Sequence, residues 1–150
     1  MIFLVKFMIL DEKRSIKEDF SRKQVAQNFL NAMLITNVNS CNDATVSQII
    51  MECYEQGSNI ACSDGNACNY LQQQFNSDFF KDTLATWKFN YRFYIPRGTN
   101  NLIDFNYPAD PTKVCNEGNI GQAYDSLENA QAKIGTLSGS TILVNLDLCS

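Results

Sequence analysis

Histidine is absent from this chain of 150 residues, and no Cys-x-x-Cys pair occurs in it. Without histidine, the Ser-His-Asp and Cys-His catalytic arrangements and all histidine-ligated metal sites are excluded. Structural zinc sites usually contain closely spaced cysteines, which are missing as well. The sequence also has no glycine-rich phosphate loop and no Gly-x-Ser-x-Gly segment. These absences predict a protein that is not an enzyme and that has no resident cofactor and no metal centre.

The carboxylates offer little alternative chemistry. Glu52 and Glu55 fall on the polar side of a predicted helix, which favours a solvated helix face. Asp64-Gly65-Asn66 resembles a fragment of a calcium loop, but the remaining acidic ligands are not there. A weak calcium site that uses Asp104 or Asp110 in the later loops is left open.

An excess of positive charge is missing too. The formal net charge is −4, and nucleic-acid binding normally needs a basic face, so we expect no nucleic-acid partner. With 45% hydrophobic residues the composition is that of a folded protein, and the length suits one domain with a real core.

No hydrophobic run is long enough to cross a membrane. Met1 to Leu10 is apolar except for Lys6, but a bilayer takes about 20 apolar residues. The run does not resemble a secretory signal, because no basic segment precedes it and no small-residue cleavage site follows it. Three interpretations fit it: the end of a longer anchor, a short stem that is buried among identical stems, or an ordinary core helix.

Residues 1 to about 37 contain no proline or glycine, which predicts one long N-terminal helix. Its first third is apolar, residues 11–23 carry interleaved charges of both signs, and an amphipathic pattern follows from Gln24. Assembly or membrane contact is expected at the apolar positions of the first third: Ile2, Phe3, Leu4, Val5, Phe7, Met8, Ile9 and Leu10. Docking of the helix on a sheet is expected at Val25, Phe29, Leu30 and Met33.

The strongest positive feature is a set of six cysteines: Cys41, Cys53, Cys62, Cys68, Cys115 and Cys149. An even number without metal-ligand spacing predicts three disulfides and an exported, extracellular location, and free thiols in a reducing cytosol are the alternative. The sequence does not decide the pairing. Short separation favours Cys62 with Cys68, and Cys149 is expected to tie down the C-terminus, with Cys115 as a candidate partner.

The rest of the chain shows both helical and alternating patterns. The predicted helices after the first are 44–56 and 67–86, with a weaker one at 122–133, and the predicted strands are 87–95, 102–107 and 141–148. The expected fold class is α+β: a long N-terminal helix (about 1–37) plus two shorter helices packed on a small antiparallel sheet, stapled by disulfides.

This layout resembles type IV pilin-like proteins, a group that includes archaeal minor pilins, pseudopilins and small exported proteins with a single N-terminal helix anchor. The segments that carry the resemblance are Asn28-Phe-Leu-Asn-Ala-Met-Leu34, Cys62-Ser-Asp-Gly-Asn-Ala-Cys68 and Thr141-Ile-Leu-Val-Asn-Leu-Asp-Leu-Cys149. It implies a cell-surface protein that assembles with itself or with other pilin-like subunits through its N-terminal helix.

Two functions from different classes follow. The first is a structural subunit of an extracellular filament or membrane-anchored assembly, with residues 1–23 as a projecting stem and residues 24–150 as a globular head. The second is a secreted monomeric binding module that recognises a ligand or partner through the loops 58–66 and 109–121. In the second case residues 1–10 belong to the core of the head.

Overall fold

The computed structural model describes residues 22–57, 59–63, 65–76, 80, 84, 89–107, 114–121 and 124–150. In this part of the chain, three short helices pack against a four-stranded antiparallel sheet. The helices are α1 (22–34), α2 (Val46–Tyr54) and α3 (Ala67–Asn76). The sheet consists of β5 (Asn90–Arg97), β6 (Asn100–Tyr107), β7 (Leu127–Gly135) and β8 (Thr141–Cys149), in the order β6-β5-β8-β7.

The predicted long helix from residue 1 to about 37 is wrong. Helix α1 covers residues 22–34, and the earlier part of the prediction lies outside the described residues. The helix stops where β-branched residues begin: the amide of Thr36 donates to Met33 O (3.1 Å), and its hydroxyl donates to Ala32 O (2.9 Å). The chain then forms β1 (Asn37–Val38), which pairs with β2 (Ala44–Thr45). The helical pattern in the sequence therefore extends beyond the helix that forms.

Helix α2 begins two residues later than the sequence pattern indicates. Its cap is Thr45, whose hydroxyl accepts from the amide of Gln48 while the Gln48 side chain accepts from the Thr45 amide (2.8 Å). This reciprocal capping box satisfies two backbone donors that a helix N-terminus otherwise leaves unpaired. Helix α3 starts at Ala67, as expected, after the short hairpin of β3 (Ala61–Cys62) and β4 (Gly65–Asn66).

The prediction of a helix at 122–133 is wrong, because this part of the chain contains strand β7. Alanine and glutamine favour helices, yet Ala130 pairs with Leu146 and Ala132 with Val144 on the core side of the sheet. Asn129 and Gln131, which alternate with the alanines, are exposed. The period of two is present in the sequence, but small apolar residues make it weak.

One apolar core joins the helices to one face of the sheet. Leu30, Phe80 and Phe93 are fully buried in it, and the ring centroids of Phe80 lie 5.7 Å from Phe29 and 5.0 Å from Phe93. Helix α1 is also fixed at its start, where Arg22 donates hydrogen bonds to the hydroxyls of Ser126 (3.1 Å) and Ser150 (2.5 Å). No helix among the described residues combines the length and the apolar character that a membrane span requires.

The prediction of three disulfides is confirmed: Cys41–Cys62, Cys53–Cys68 and Cys115–Cys149. The expected Cys62–Cys68 bond is wrong, since Cys68 lies on α3 and bridges to α2 through Cys53. Cys62 instead ties the β3–β4 hairpin to the short 3-10 helix Asn39–Cys41. The pairing of Cys115 with Cys149 agrees with the sequence-based candidate.

Candidate functional site

The face of the sheet that points away from the helices is polar, and the strand register arranges its side chains in two cross-strand rows. The first row contains Asn106, Arg92, Asp147 and Asn129, and the second contains Asp104, Tyr94, Asn145 and Gln131. These positions alternate with Tyr91, Phe93 and Ile95 of the core, because successive side chains of a strand point to opposite faces. We call the eight residues the outer-face rows.

Arg92 is held in place within these rows. Its guanidinium donates two hydrogen bonds to the carboxylate of Asp104 (2.9 and 2.8 Å) and lies 4.7 Å from the centroid of the Tyr94 ring. The same carboxylate accepts from the side chain of Asn101 (2.7 Å). The hydrogen bonds from Arg92 hold the pKa of Asp104 below its usual value. Arg92 is thus a charge that is already neutralised by a bidentate partner.

Asp147 is the most buried charge of the outer-face rows, with 5% of its surface exposed. Its carboxylate accepts a hydrogen bond from the side chain of Asn129, and the neighbouring Asn145 accepts one from Gln131 (2.9 Å). Burial raises the pKa of Asp147, and the negative charges of Glu117 and Asp104 act in the same direction. Burial and the charge of Asp147 also raise the pKa of Tyr94.

A loop forms a wall beside the outer-face rows. The backbone amide of Cys115 donates to the side chain of Asn106 (2.9 Å), and Cys115 is bonded to Cys149 at the end of β8. The next turn is the 3-10 helix Glu117–Asn119, in which the amide of Asn119 donates to the side chain of Asn116 (3.2 Å). Two ties to the sheet and one internal cap therefore fix the position of this wall.

Between the wall and the sheet lies an open groove of about 340 Å³. It is lined by Arg92, Tyr94, Asn116, Glu117, Gly118, Leu127, Asn129 and Asp147. We call it the outer-face groove. Its lining combines one aromatic ring and one leucine with amide and charged groups.

The carboxylates of α2 have structural roles. Glu52 is buried, contrary to the predicted solvated face, and accepts hydrogen bonds from the backbone amides of Asn59 and Ile60. Glu55 accepts two hydrogen bonds from Ser138, through the amide and the hydroxyl (3.2 Å each), in the turn between β7 and β8. Both side chains are used to hold loops.

The residues that the sequence singled out are spread over the molecule. Ile2 to Leu10 lie outside the described residues, as does Asp110. On α1, Leu30 and Met33 lie in the core, Phe29 packs against it, and Val25 is half-buried. Of the two predicted recognition loops, residues 114–121 of the second form the wall of the outer-face groove.

Sequence reasoning missed most of the groove. Arg92, Tyr94 and Asp147 were visible as the polar positions of alternating strands, but nothing in the sequence shows which strands are neighbours. Asn129 is harder still to place from the sequence, because the pattern of its segment predicts a helix. In the described part of the chain, no group of three or more cysteine or acidic residues could hold a metal ion.

Comparison with protein-family models, curated proteins and solved structures found no match to this chain. The site is therefore interpreted from its own residues.

Proposed function

We propose that the chain is a non-catalytic structural subunit of an extracellular surface assembly, attached through its apolar N-terminal segment. The observation that carries the proposal is the separation of apolar and charged residues at the start of the sequence: the apolar run of residues 2–10 is followed by a mixed-charge stretch. Arg22, the first of the described residues, is held on the described fold by hydrogen bonds to Ser126 and Ser150.

An apolar segment that is followed by a charged one is suited to attaching a protein to a membrane or to other subunits. Each apolar side chain that is removed from water contributes about 1.5–3 kcal/mol, so a run of eight such residues favours contact with lipid or with other subunits. The charged residues 11–23 then keep the domain at the aqueous boundary. A continuous helical shaft is not required for this attachment.

The disulfides support an extracellular location for this subunit. Three disulfides in a domain of this size are compatible with an oxidising environment. The resemblance to type IV pilin-like proteins points to the cell surface and to self-assembly.

The test compares the oxidised full chain with a variant that carries Val5→Asp and Met8→Asp. We expect the wild-type chain to form large species or to bind to lipid vesicles, and the variant to remain a monomer that does not bind. The control is Lys13→Asp with Glu18→Lys, which alters the charged stretch and leaves the apolar run unchanged. A wild-type chain that stays monomeric and does not bind to vesicles would refute the proposal and favour a secreted monomeric binding module.

A further inference from the structure

We propose that the outer-face groove is a binding site for a neutral saccharide, with room for a sugar ring at the end of a glycan. The inference is independent of the attachment proposed above, because the groove lies on the sheet face opposite to the apolar core and α1. It concerns what the domain recognises, whether the domain is a subunit or a monomer.

The size of the groove suits a small ligand. Its volume of about 340 Å³ lies at the lower end of the range for ligand pockets, which is about 300–1,000 Å³. Leu127 supplies apolar surface onto which the C–H face of a sugar can pack, and the Tyr94 ring, one face of which is covered by Arg92, adds to it.

The charges of the groove argue against an anionic ligand. Its cation, Arg92, is already paired with Asp104, and the carboxylates of Asp147 and Glu117 also line it. Neither carboxylate has an ion-pair partner among the residues that the structure describes. A phosphate or carboxylate ligand would meet these negative charges without a free positive charge to offset them.

The hydrogen-bonding groups match hydroxyls instead. Asn116 Oδ1 accepts from the amide of Asn119 and Asn129 Nδ2 donates to Asp147, which leaves the amide nitrogen of Asn116, the amide oxygen of Asn129 and the hydroxyl of Tyr94 for a ligand. The carboxylates of Asp147 and Glu117 accept only. A sugar hydroxyl also donates and accepts, so each can engage a carboxylate as donor and an amide as acceptor. A ligand without hydroxyls would leave these polar groups unpaired and should therefore bind less tightly.

The groove is also preorganised. Arg92 is held by Asp104, Asp147 by Asn129, and the wall by Cys115–Cys149. Side chains that are already fixed lose little conformational entropy when a ligand binds, which favours measurable affinity for a small polar molecule.

The experiment is a titration of the oxidised full chain, followed by amide chemical shifts. The probes are the methyl glycosides of glucose, galactose, mannose and N-acetylglucosamine, with inorganic phosphate and putrescine for comparison. At least one glycoside should bind with a Kd of about 1 mM or tighter, and should shift the amides of Arg92, Gly118 and Asn129.

Two variants test the assignment. Asp147→Asn and Tyr94→Ala should each weaken that binding about tenfold or more, while Asp43→Asn, the same chemical change outside the groove, should leave it unchanged. If a variant does not fold, the shift pattern of the wild-type chain decides the location. Three results would overturn the proposal: no glycoside binds, only phosphate or putrescine binds, or the shifts and variants place the sugar elsewhere.

Discussion

At the scale of single residues, the contact between Glu52 and Gly57 shows how a buried charge is used to close a loop. The Glu52 carboxylate accepts hydrogen bonds from two backbone amides of the segment after α2. A Cβ added at Gly57 would lie 2.5 Å from Glu52 Oε1, so the carboxylate would have to shift. The glycine therefore leaves room for the carboxylate in the position where it meets the two amides.

Replacing this glycine should destabilise the protein. Gly57→Ala should cost about 1–3 kcal/mol of unfolding free energy, because the carboxylate must move away from the amides of Asn59 and Ile60. Urea unfolding of the oxidised protein measures this, with Gly135→Ala as the control, since nothing lies within 4 Å of a Cβ there. In a Glu52→Ala background the effect of Gly57→Ala should largely vanish, and a cost that persists would mean that the clash is not its cause.

A second residue-scale prediction concerns pH. The pKa of Asp147 is raised above its ordinary value of 3.8, chiefly by burial, so the folded state holds the proton more tightly than the unfolded state. Asp147 therefore lowers stability as pH rises from 3.8 through its folded pKa. Asp147→Asn, which keeps an acceptor for Asn129, should raise the melting temperature at pH 7, and this gain should shrink as pH falls towards 3.8. A gain that does not depend on pH would contradict the assignment.

At the scale of elements, apolar residues within α1 are buried in the core, whereas an apolar residue just after its end is exposed. Leu30 is fully buried and Phe29 packs on Phe80, whereas Ile35, one residue past the helix, is 75% exposed. The sequence alone does not distinguish these environments, since all three residues are large and apolar.

Truncation of the buried side chains should therefore be costly. Leu30→Ala should lower the unfolding free energy by about 2–5 kcal/mol and Phe29→Ala by somewhat less, because Phe29 is only partly buried. Ile35→Ala is the matched control and should change it by less than about 0.5 kcal/mol. A loss below that value for Phe29→Ala as well would mean that α1 does not dock through this residue.

The elements also show where sequence reasoning succeeds. Strands β5, β6 and β8 could be predicted because large apolar residues, such as Phe93 and Leu146, alternate with polar ones. Strand β7 could not, since its core positions are filled by Ala130 and Ala132, which fit a helix equally well. The groove depends on the pairing of β7 with β8, so the same ambiguity concealed Asn129 beside Asp147.

At the scale of the whole molecule, the disulfides join segments that are distant in sequence. Cys53–Cys68 links two helices across 15 residues, and Cys115–Cys149 links the wall of the groove to the last strand across 34. Closure of loops of this size restricts the unfolded chain and stabilises the fold by about 3–4 kcal/mol per bond in the chain-entropy model.

Loss of a disulfide bond should therefore lower the free energy of unfolding substantially. Replacing Cys53 and Cys68 together with alanine should lower the unfolding free energy by about 2–4 kcal/mol, as measured by urea unfolding. Peptide mapping without reduction should recover the three bonds described above, and a bond between Cys62 and Cys68 would contradict the structure.

The central proposal is that the apolar segment 2–10 attaches the protein to lipid or to other subunits and is not needed for the described residues to fold. The most direct test is to compare the oxidised full chain with a chain that lacks residues 1–10, by sedimentation velocity and thermal unfolding. The account predicts that the shortened chain is a folded monomer with a melting temperature close to that of the full chain, while the full chain forms large species. A shortened chain that fails to fold would contradict it and would place residues 1–10 in the core of the domain.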